Sequence, residues 1–243
     1  MKIRKLLTII PALLLALVFS ANSQAVPIKT ALGIVLDGSG SIGSTNFDVQ
    51  RNAYINVLSN PSIVPLDGSV VLNVVQFDSS AIVEQTAIRL NDATNLATVV
   101  ASLNAMVFNG GGTFIGSGLD AAVADMDPFL AGIAASEFDA AFRKLIDVST
   151  DGSTQDSSTQ VAAAVAAGYA QINCLGIGAG GNCTWNRDGI DLDFSANTFA
   201  QVQAALERKI GQELGTGGVP EPGTLALLGL GLAGLGFARR KKA

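Results

Sequence analysis

The sequence predicts an α/β domain with a doubly wound, mostly parallel central sheet and helices on both faces. Two observations carry this expectation. Short apolar runs of strand length alternate along the chain with segments whose apolar residues recur at i, i+3, i+4 and i+7. Such alternation builds parallel sheets whose strands are buried on both faces. In order, residues 30–36 read as a buried strand ending at Asp37, and residues 47–58 as a helix with Phe47, Tyr54 and Leu58 on one face. Residues 70–77 form a second strand, and residues 81–88 follow closely enough to be its hairpin partner. Leu96, Val99, Val100 and Leu103 mark one helix; Leu119, Ala122, Val123 and Met126 mark the next. Residues 144–149 read as a strand, Val161, Val165 and Tyr169 as a helix, and residues 172–177 as a strand. Phe199, Val202, Leu206 and Ile210 mark a last helix, with Asn197 as its expected N-cap.

Three segments stand out against this frame: Asp37-Gly38-Ser39-Gly40-Ser41, Gly112-Thr113 and Thr150-Asp151-Gly152. The first and third follow predicted strands directly, and the second sits in a glycine-rich loop ahead of a helix. All supply small oxygen-bearing side chains. In open α/β sheets, ligands bind beyond the carboxyl ends of strands, where the strand order reverses. Hydroxyls and carboxylates gathered there suit a hard divalent cation such as Mg²⁺. Two other readings fail. An EF-hand loop would need glycine where Ile42 stands and lacks its final glutamate. Gly110-Gly111-Gly112-Thr113 is no phosphate loop, because no Gly-Lys-Ser/Thr follows.

The termini have their own signatures. Met1-Lys2-Ile3-Arg4-Lys5, an apolar stretch at 6–18 and Ser23-Gln24-Ala25 form a secretory signal peptide, with cleavage expected after Ala25. Residues 26–214 form the domain and 215–218 a glycine-rich linker. Residues 219–243 carry Pro220-Glu221-Pro222, a glycine-rich apolar stretch at 225–238 and Arg239-Arg240-Lys241-Lys242. That apolar stretch is short for a stable span, which needs about 20 residues. The basic cluster would hold the extreme C-terminus in the cytoplasm. Of fifteen Lys and Arg residues, three lie in the leader and four in the tail; of twenty Asp and Glu, only Glu221 lies outside 26–218, so that segment has a formal charge of −11. Such a surface repels nucleic acid and attracts cations. In an exported chain, Cys174 and Cys183 read as one disulfide. Asp188, Asp191 and Asp193 beside Trp185 read either as a second cation site, for example for Ca²⁺, or as a solvated acidic loop. Asp125 and Asp127 read as the polar end of a helix.

The tail resembles a PEP-CTERM sorting signal of Gram-negative bacteria that make extracellular polysaccharide: motif, apolar stretch and basic cluster occur in the right order. The resemblance implies export, transient anchoring in the inner membrane, processing by an exosortase-type enzyme and residence at the cell surface or in an extracellular matrix, where polysaccharide is a candidate partner.

The three internal segments, in order and in strand–helix context, resemble a von Willebrand factor type A domain over roughly residues 29–213. Gly43, the run Thr113-Phe114-Ile115-Gly116-Ser117-Gly118-Leu119 and Asp151-Gly152 extend the match. The resemblance implies a Rossmann-like fold and a metal-ion-dependent adhesion site made by Asp37, Ser39, Ser41, Thr113 and Asp151. It implies Mg²⁺ or Mn²⁺ held through the neutral hydroxyls of Ser39, Ser41 and Thr113, with Asp37 and Asp151 acting mostly through waters. A position left open would accept an Asp or Glu carboxylate from a partner protein. The expected function is a non-catalytic, surface- or matrix-associated binding module. The alternative is a structural matrix or biofilm component in which the metal mainly stabilises the fold. Histidine is absent, which excludes a Ser-His-Asp hydrolase and the usual general base.

Overall fold

A computed structural model describes residues 26–152 and 156–216 of the chain. The signal peptide expected at 1–25 and the sorting motif at Pro220, Glu221 and Pro222 lie outside the described residues.

The elements run β1 (Ile28–Asp37), α1 (Ser44–Leu58), β2 (Val70–Phe77), β3 (Ala81–Arg89), α2 (Ala93–Ala105) and α3 (Ile115–Ala131). They continue through β4 (Phe138–Thr150), α4 (Ser158–Ala166), β5 (Tyr169–Ile177), β6 (Asp193–Ala196) and α5 (Val202–Leu214). The six strands form one sheet in the order β3-β2-β1-β4-β5-β6. Only β3 is antiparallel, as the hairpin partner of β2. The expected doubly wound, mostly parallel architecture is what the chain adopts.

Side-chain alternation on β1 sorts the core. Leu32, Ile34 and Leu36 pack with Tyr54 and Leu58 of α1, Val99 and Leu103 of α2, and Leu206 and Ile210 of α5. Val35 points the other way, into a cluster with Ile115, Leu119 and Ala122 of α3 and Val161 and Ala164 of α4. This period of two places an apolar layer on each face, and helices cover both. α3 lies so close that a Cβ on Gly118 would sit 2.6 Å from Val35. The order of strands reverses at β1: the chain goes from it to β2 on one side and later to β4 on the other. The crevice beyond the carboxyl ends of β1 and β4 is therefore the fold's natural ligand position.

The structure corrects several sequence expectations. Tyr169 begins β5 instead of ending a helix, because Gly168 at φ 90 turns the chain after Ala166. Asn197 is not the cap of the last helix: a short 3-10 turn, Phe199–Gln201, intervenes and Gln201 occupies the N-cap. In the acidic segment at 188–193, Asp188 and Asp193 are exposed as a solvated loop would have them, but Asp191 is not. Asp191 is buried and holds Arg187, whose Nη2 and Nε lie 2.6 and 3.1 Å from its two oxygens. Asp193 opens the sixth strand and accepts from Asn186 Nδ2 at 2.7 Å. Among the described residues, no group of three or more His, Cys, Asp or Glu side chains is placed to hold a metal. Asp125 and Asp127 are not a bare polar helix end either. Asp125 accepts from Asn73 Nδ2 and Ala87 N, and Asp127 pairs with Lys144 at 2.8 Å.

Candidate metal centre

Asp37 is the last residue of β1, the strand flanked by parallel neighbours on both sides, and its side chain is wholly buried. One carboxylate oxygen accepts from Ser39 N at 2.8 Å, closing a tight turn; the other accepts from Thr150 Oγ1 at 2.6 Å. Gln50 Nε2 of α1 donates to the Asp37 carbonyl at 3.0 Å and fixes the main chain from below. The turn then brings Ser39 Oγ within 3.1 Å of Ser41 Oγ. Ser41 Oγ donates in turn to Asp151 Oδ1 at 2.8 Å, across 110 residues of sequence. A continuous polar chain thus joins the ends of β1 and β4.

The glycine loop joins the same spot through its backbone. Gly40 N donates to Gly111 O at 2.8 Å and Gly110 N to Gly38 O at 3.0 Å, making an isolated parallel bridge between Ser39 and Gly111. On its other side the loop is held by the β2–β3 turn: Gly112 N donates to Ser79 Oγ at 2.7 Å and Phe114 N to Asp78 O at 2.9 Å. Thr113 sits between these clamps, 9% exposed. The glycines have local reasons. Gly110 has φ 76, a region costly for residues with a Cβ. A Cβ on Gly40 would stand 3.0 Å from the Gly110 carbonyl oxygen and push the two loops apart.

The structure brings Asp37, Ser39, Ser41 and Asp151 into one hydrogen-bonded group and holds the backbone leading to Thr113 against it. Thr150 and Gln50 support this group, and neither is a candidate ligand from sequence. Thr150 does carry a signal: a hydroxyl at the last strand position next to Asp151 can reach across to the neighbouring strand.

The electrostatics are those of an anionic site. Burial is the main force pushing the Asp37 carboxyl up to about 6; hydrogen bonds from Ser39 and Thr150 pull against it, and Asp151 adds repulsion. Burial also raises Asp151, opposed by the Ser41 hydroxyl. Among the described residues no Lys or Arg forms an ion pair with either. A carboxylate taken wholly out of water beside a second, half-buried one, without a counter-charge, is costly. A small divalent cation is the counter-charge that suits them, and three neutral hydroxyls are hard oxygen donors of the type it prefers. The residues present therefore fit a hard cation.

On the opposite flank, Cys174 of β5 and Cys183 are joined by a disulfide with Cα atoms 5.8 Å apart. It closes the glycine-rich turn that follows β5 beside the Asp151 loop, where a Cβ on Gly180 would lie 2.7 Å from the Asp151 carbonyl oxygen.

A parallel sheet with a Asp-x-Ser-x-Ser turn at its central strand end, met by a threonine loop and a second aspartate, defines the class. The description of the von Willebrand factor type A domain matches residues 32–204, and the chain belongs to that family. It also carries a PEP-CTERM protein-sorting motif at 218–242, which marks it for exosortase-dependent export to the cell surface. No curated protein matches. Solved structures share the fold. Proximal thread matrix protein 1 from the mussel byssus, with a zinc-occupied MIDAS motif, aligns at TM-score 0.59 and 19% identity over 79% of this chain and 49% of its own. The pilus adhesin SpaC from Lactobacillus rhamnosus GG aligns at TM-score 0.59 and 16% identity, over 79% of this chain and 31% of its own. The PilB minor pilin from Streptococcus sanguinis aligns at TM-score 0.53 and 16% identity, over 79% and 64%. The chain thus spans about half the length of the byssus protein and less of the adhesin.

Proposed function

We propose that this protein is an exported binding module of the cell surface or extracellular matrix. In this reading residues 26–214 are the binding domain, and Asp37, Ser39, Ser41, Thr113 and Asp151 hold Mg²⁺ or Mn²⁺. The cation would supply an unquenched positive charge able to take a carboxylate from a partner protein. The chain's residues do the rest. Ser39, Ser41 and Thr113 present neutral oxygens, which leave that charge strong. Asp37 and Asp151, held by Thr150 and Ser41, orient the hydroxyls and the waters around them. The PEP-CTERM segment would hold the chain at the inner membrane until an exosortase-type enzyme acts on it. Among the described residues no helix is long and apolar enough to cross a membrane; the stretch at 225–238 lies outside them.

The observation that carries the reading is the Ser39–Ser41–Asp151 hydroxyl chain, which unites two motifs 110 residues apart. The neighbours with related folds include a matrix protein and a pilus adhesin, which accords with such a role. The zinc in the byssus protein's motif shows that divalent ions other than Mg²⁺ deserve a place in any titration. Panning a peptide library on the immobilised protein in Mn²⁺ and again in chelator tests the idea. The reading expects Asp- or Glu-bearing peptides retained only with metal, and not by a folded Ser41→Ala variant. Equal retention in chelator overturns it. Loss of fold on chelation, without metal-dependent retention, assigns the metal to stability and the chain to a structural role in the matrix.

A further inference from the structure

A second polar cluster lies in the core between β4, β5, α1 and α5, and the metal centre does not use it. Asp147 of β4 and Lys209 of α5 are wholly buried, and Glu213, one turn further along α5, is 1% exposed. Lys209 Nζ touches Asp147 Oδ2 and lies 3.1 Å from Glu213 Oε1. Tyr54 OH donates to Asp147 Oδ1 at 2.6 Å. Asn173 Nδ2 donates to Glu213 Oε1 at 2.9 Å, and Asn173 Oδ1 accepts from Leu192 N at 2.8 Å.

The cluster is poorly built as a set of ions. Lys209 Nζ, Asp147 Oδ2 and Glu213 Oε2 make no hydrogen bond of proper geometry, although all three are sealed from water. An ammonium has three directed donors, and burying one without satisfying them costs several kcal/mol. Hydrophobic side chains of similar size would be at least as stable there. The arrangement has another property: it places an amine against a carboxyl, with a second carboxyl in reach of the amine and a hydroxyl donor on the far oxygen. Those are the parts of an acyl-transfer site.

We propose that Lys209 and Asp147 are joined by an intramolecular isopeptide bond, with Glu213 as the proton carrier. A proton passes from Lys209 Nζ to Asp147 Oδ2 across their contact, and the amine so formed attacks Cγ of the Asp147 carboxyl. The Nζ–Cγ bond forms, the bond from Cγ to one carboxyl oxygen breaks, and that oxygen leaves as water with one proton from Nζ. Glu213, which starts protonated, gives its proton to the departing oxygen and takes one from Nζ, so it ends as it began. Tyr54 OH stabilises the charge that develops on Asp147 Oδ1, and Asn173 fixes the Glu213 carboxyl. Burial pushes the Glu213 carboxyl up to about 8, helped by the Asp147 charge and opposed by Lys209, so it carries a proton at neutral pH. The product removes both buried charges, and the dry core protects the amide from hydrolysis.

The placement also serves a tethered protein. α5 is the last described element before the sorting motif, so tension from the tail reaches the domain through this helix. A Lys209–Asp147 bond passes that tension into β4, a strand paired on both sides.

Peptide mapping of the purified full chain tests this directly. Trypsin cuts after Lys144, Arg187 and Arg208, so a bond would join peptide 145–187 to a peptide beginning at Lys209, lighter by one water than the two together. Water loss alone does not decide, since Asp151-Gly152 can dehydrate to a cyclic imide within the same peptide. The expected result is the joined pair in the wild type and separate peptides in Lys209→Met and Glu213→Gln. A wild type that yields unjoined 145–187 and free cleavage after Lys209 overturns the proposal and leaves an ion-paired cluster. A joined pair in folded Glu213→Gln overturns the role given to Glu213.

Discussion

Thr150→Val separates the support of the proposed metal centre from its proposed ligands. The substitution keeps the side chain's shape and removes the hydroxyl that lies 2.6 Å from Asp37 Oδ2 and also accepts from Gly152 N at 3.1 Å. Thr150 and Asp37 are both wholly buried, so water cannot replace the lost donor. A hydrogen bond to a charged group contributes about 1.5–3 kcal/mol. The added methyl recovers part of that, and the net loss expected in chelator is about 2 kcal/mol. For a domain of this size that lowers Tm by roughly 4–8 °C. The affinity for divalent cation falls as well, because Asp37 loses its donor from β4 and keeps those of Ser39; a tenfold drop corresponds to about 1.4 kcal/mol. Urea unfolding in chelator gives the first quantity and calorimetric titration the second. A stability loss below about 0.5 kcal/mol, the size of an ordinary surface change, with unaltered metal affinity would refute the reasoning.

Three further perturbations follow from the same geometry. Gly40→Ala places a Cβ 3.0 Å from the Gly110 carbonyl oxygen, and such overpacking costs about 1–3 kcal/mol; metal titration of the folded variant is expected to show weakened binding, and wild-type affinity would contradict it. Replacing both Cys174 and Cys183 by Ala opens a loop with a sequence separation of 9, which costs about 2.5 kcal/mol in a denaturant melt; an unchanged midpoint would show that the turn after β5 is held by other contacts. Glu213 has its folded pKa raised from 4.5 to about 8, mainly by burial. A raised carboxyl means the folded state binds the extra proton, so its contribution is intact below about 4.5 and is lost as pH rises through about 8. Glu213→Gln removes that loss, so the stability of the variant relative to wild type is expected to rise between pH 5 and pH 9 in urea titrations; a constant difference would contradict the shift.

The parts of the fold legible in the sequence are those where burial on both sides forces a uniform pattern. β1, β2 and the end of β4 are rich in apolar residues because helices cover both faces, with buried polar side chains such as Asn73 and Asp147 only interrupting them. β6 was hidden for the opposite reason: Asp193-Phe194-Ser195-Ala196 is a four-residue edge strand with an exposed aspartate at its start. Tyr169 continues the helical spacing of Val161 and Val165, and only the backbone at Gly168 shows that the chain has already turned. The candidate metal residues were legible because each sits in a short motif of small polar residues at a strand end. Their supports were not, since Thr150 and Gln50 act through contacts between elements that spacing alone does not reveal. Arg187 with Asp191, and Lys209 with Asp147 and Glu213, are of the same kind. A charged residue in a helix or loop reads as solvated until the partner that buries it is known.

Calorimetric titration of the purified protein with Mg²⁺ and Mn²⁺, beside a folded Thr113→Ala variant, tests the central claim most directly. The account predicts saturable binding at one site in the wild type and its loss in the variant, since Thr113 is the one ligand supplied by the glycine loop. Absence of binding by the wild type, or equal binding by the variant, would contradict a metal centre built from Asp37, Ser39, Ser41, Thr113 and Asp151.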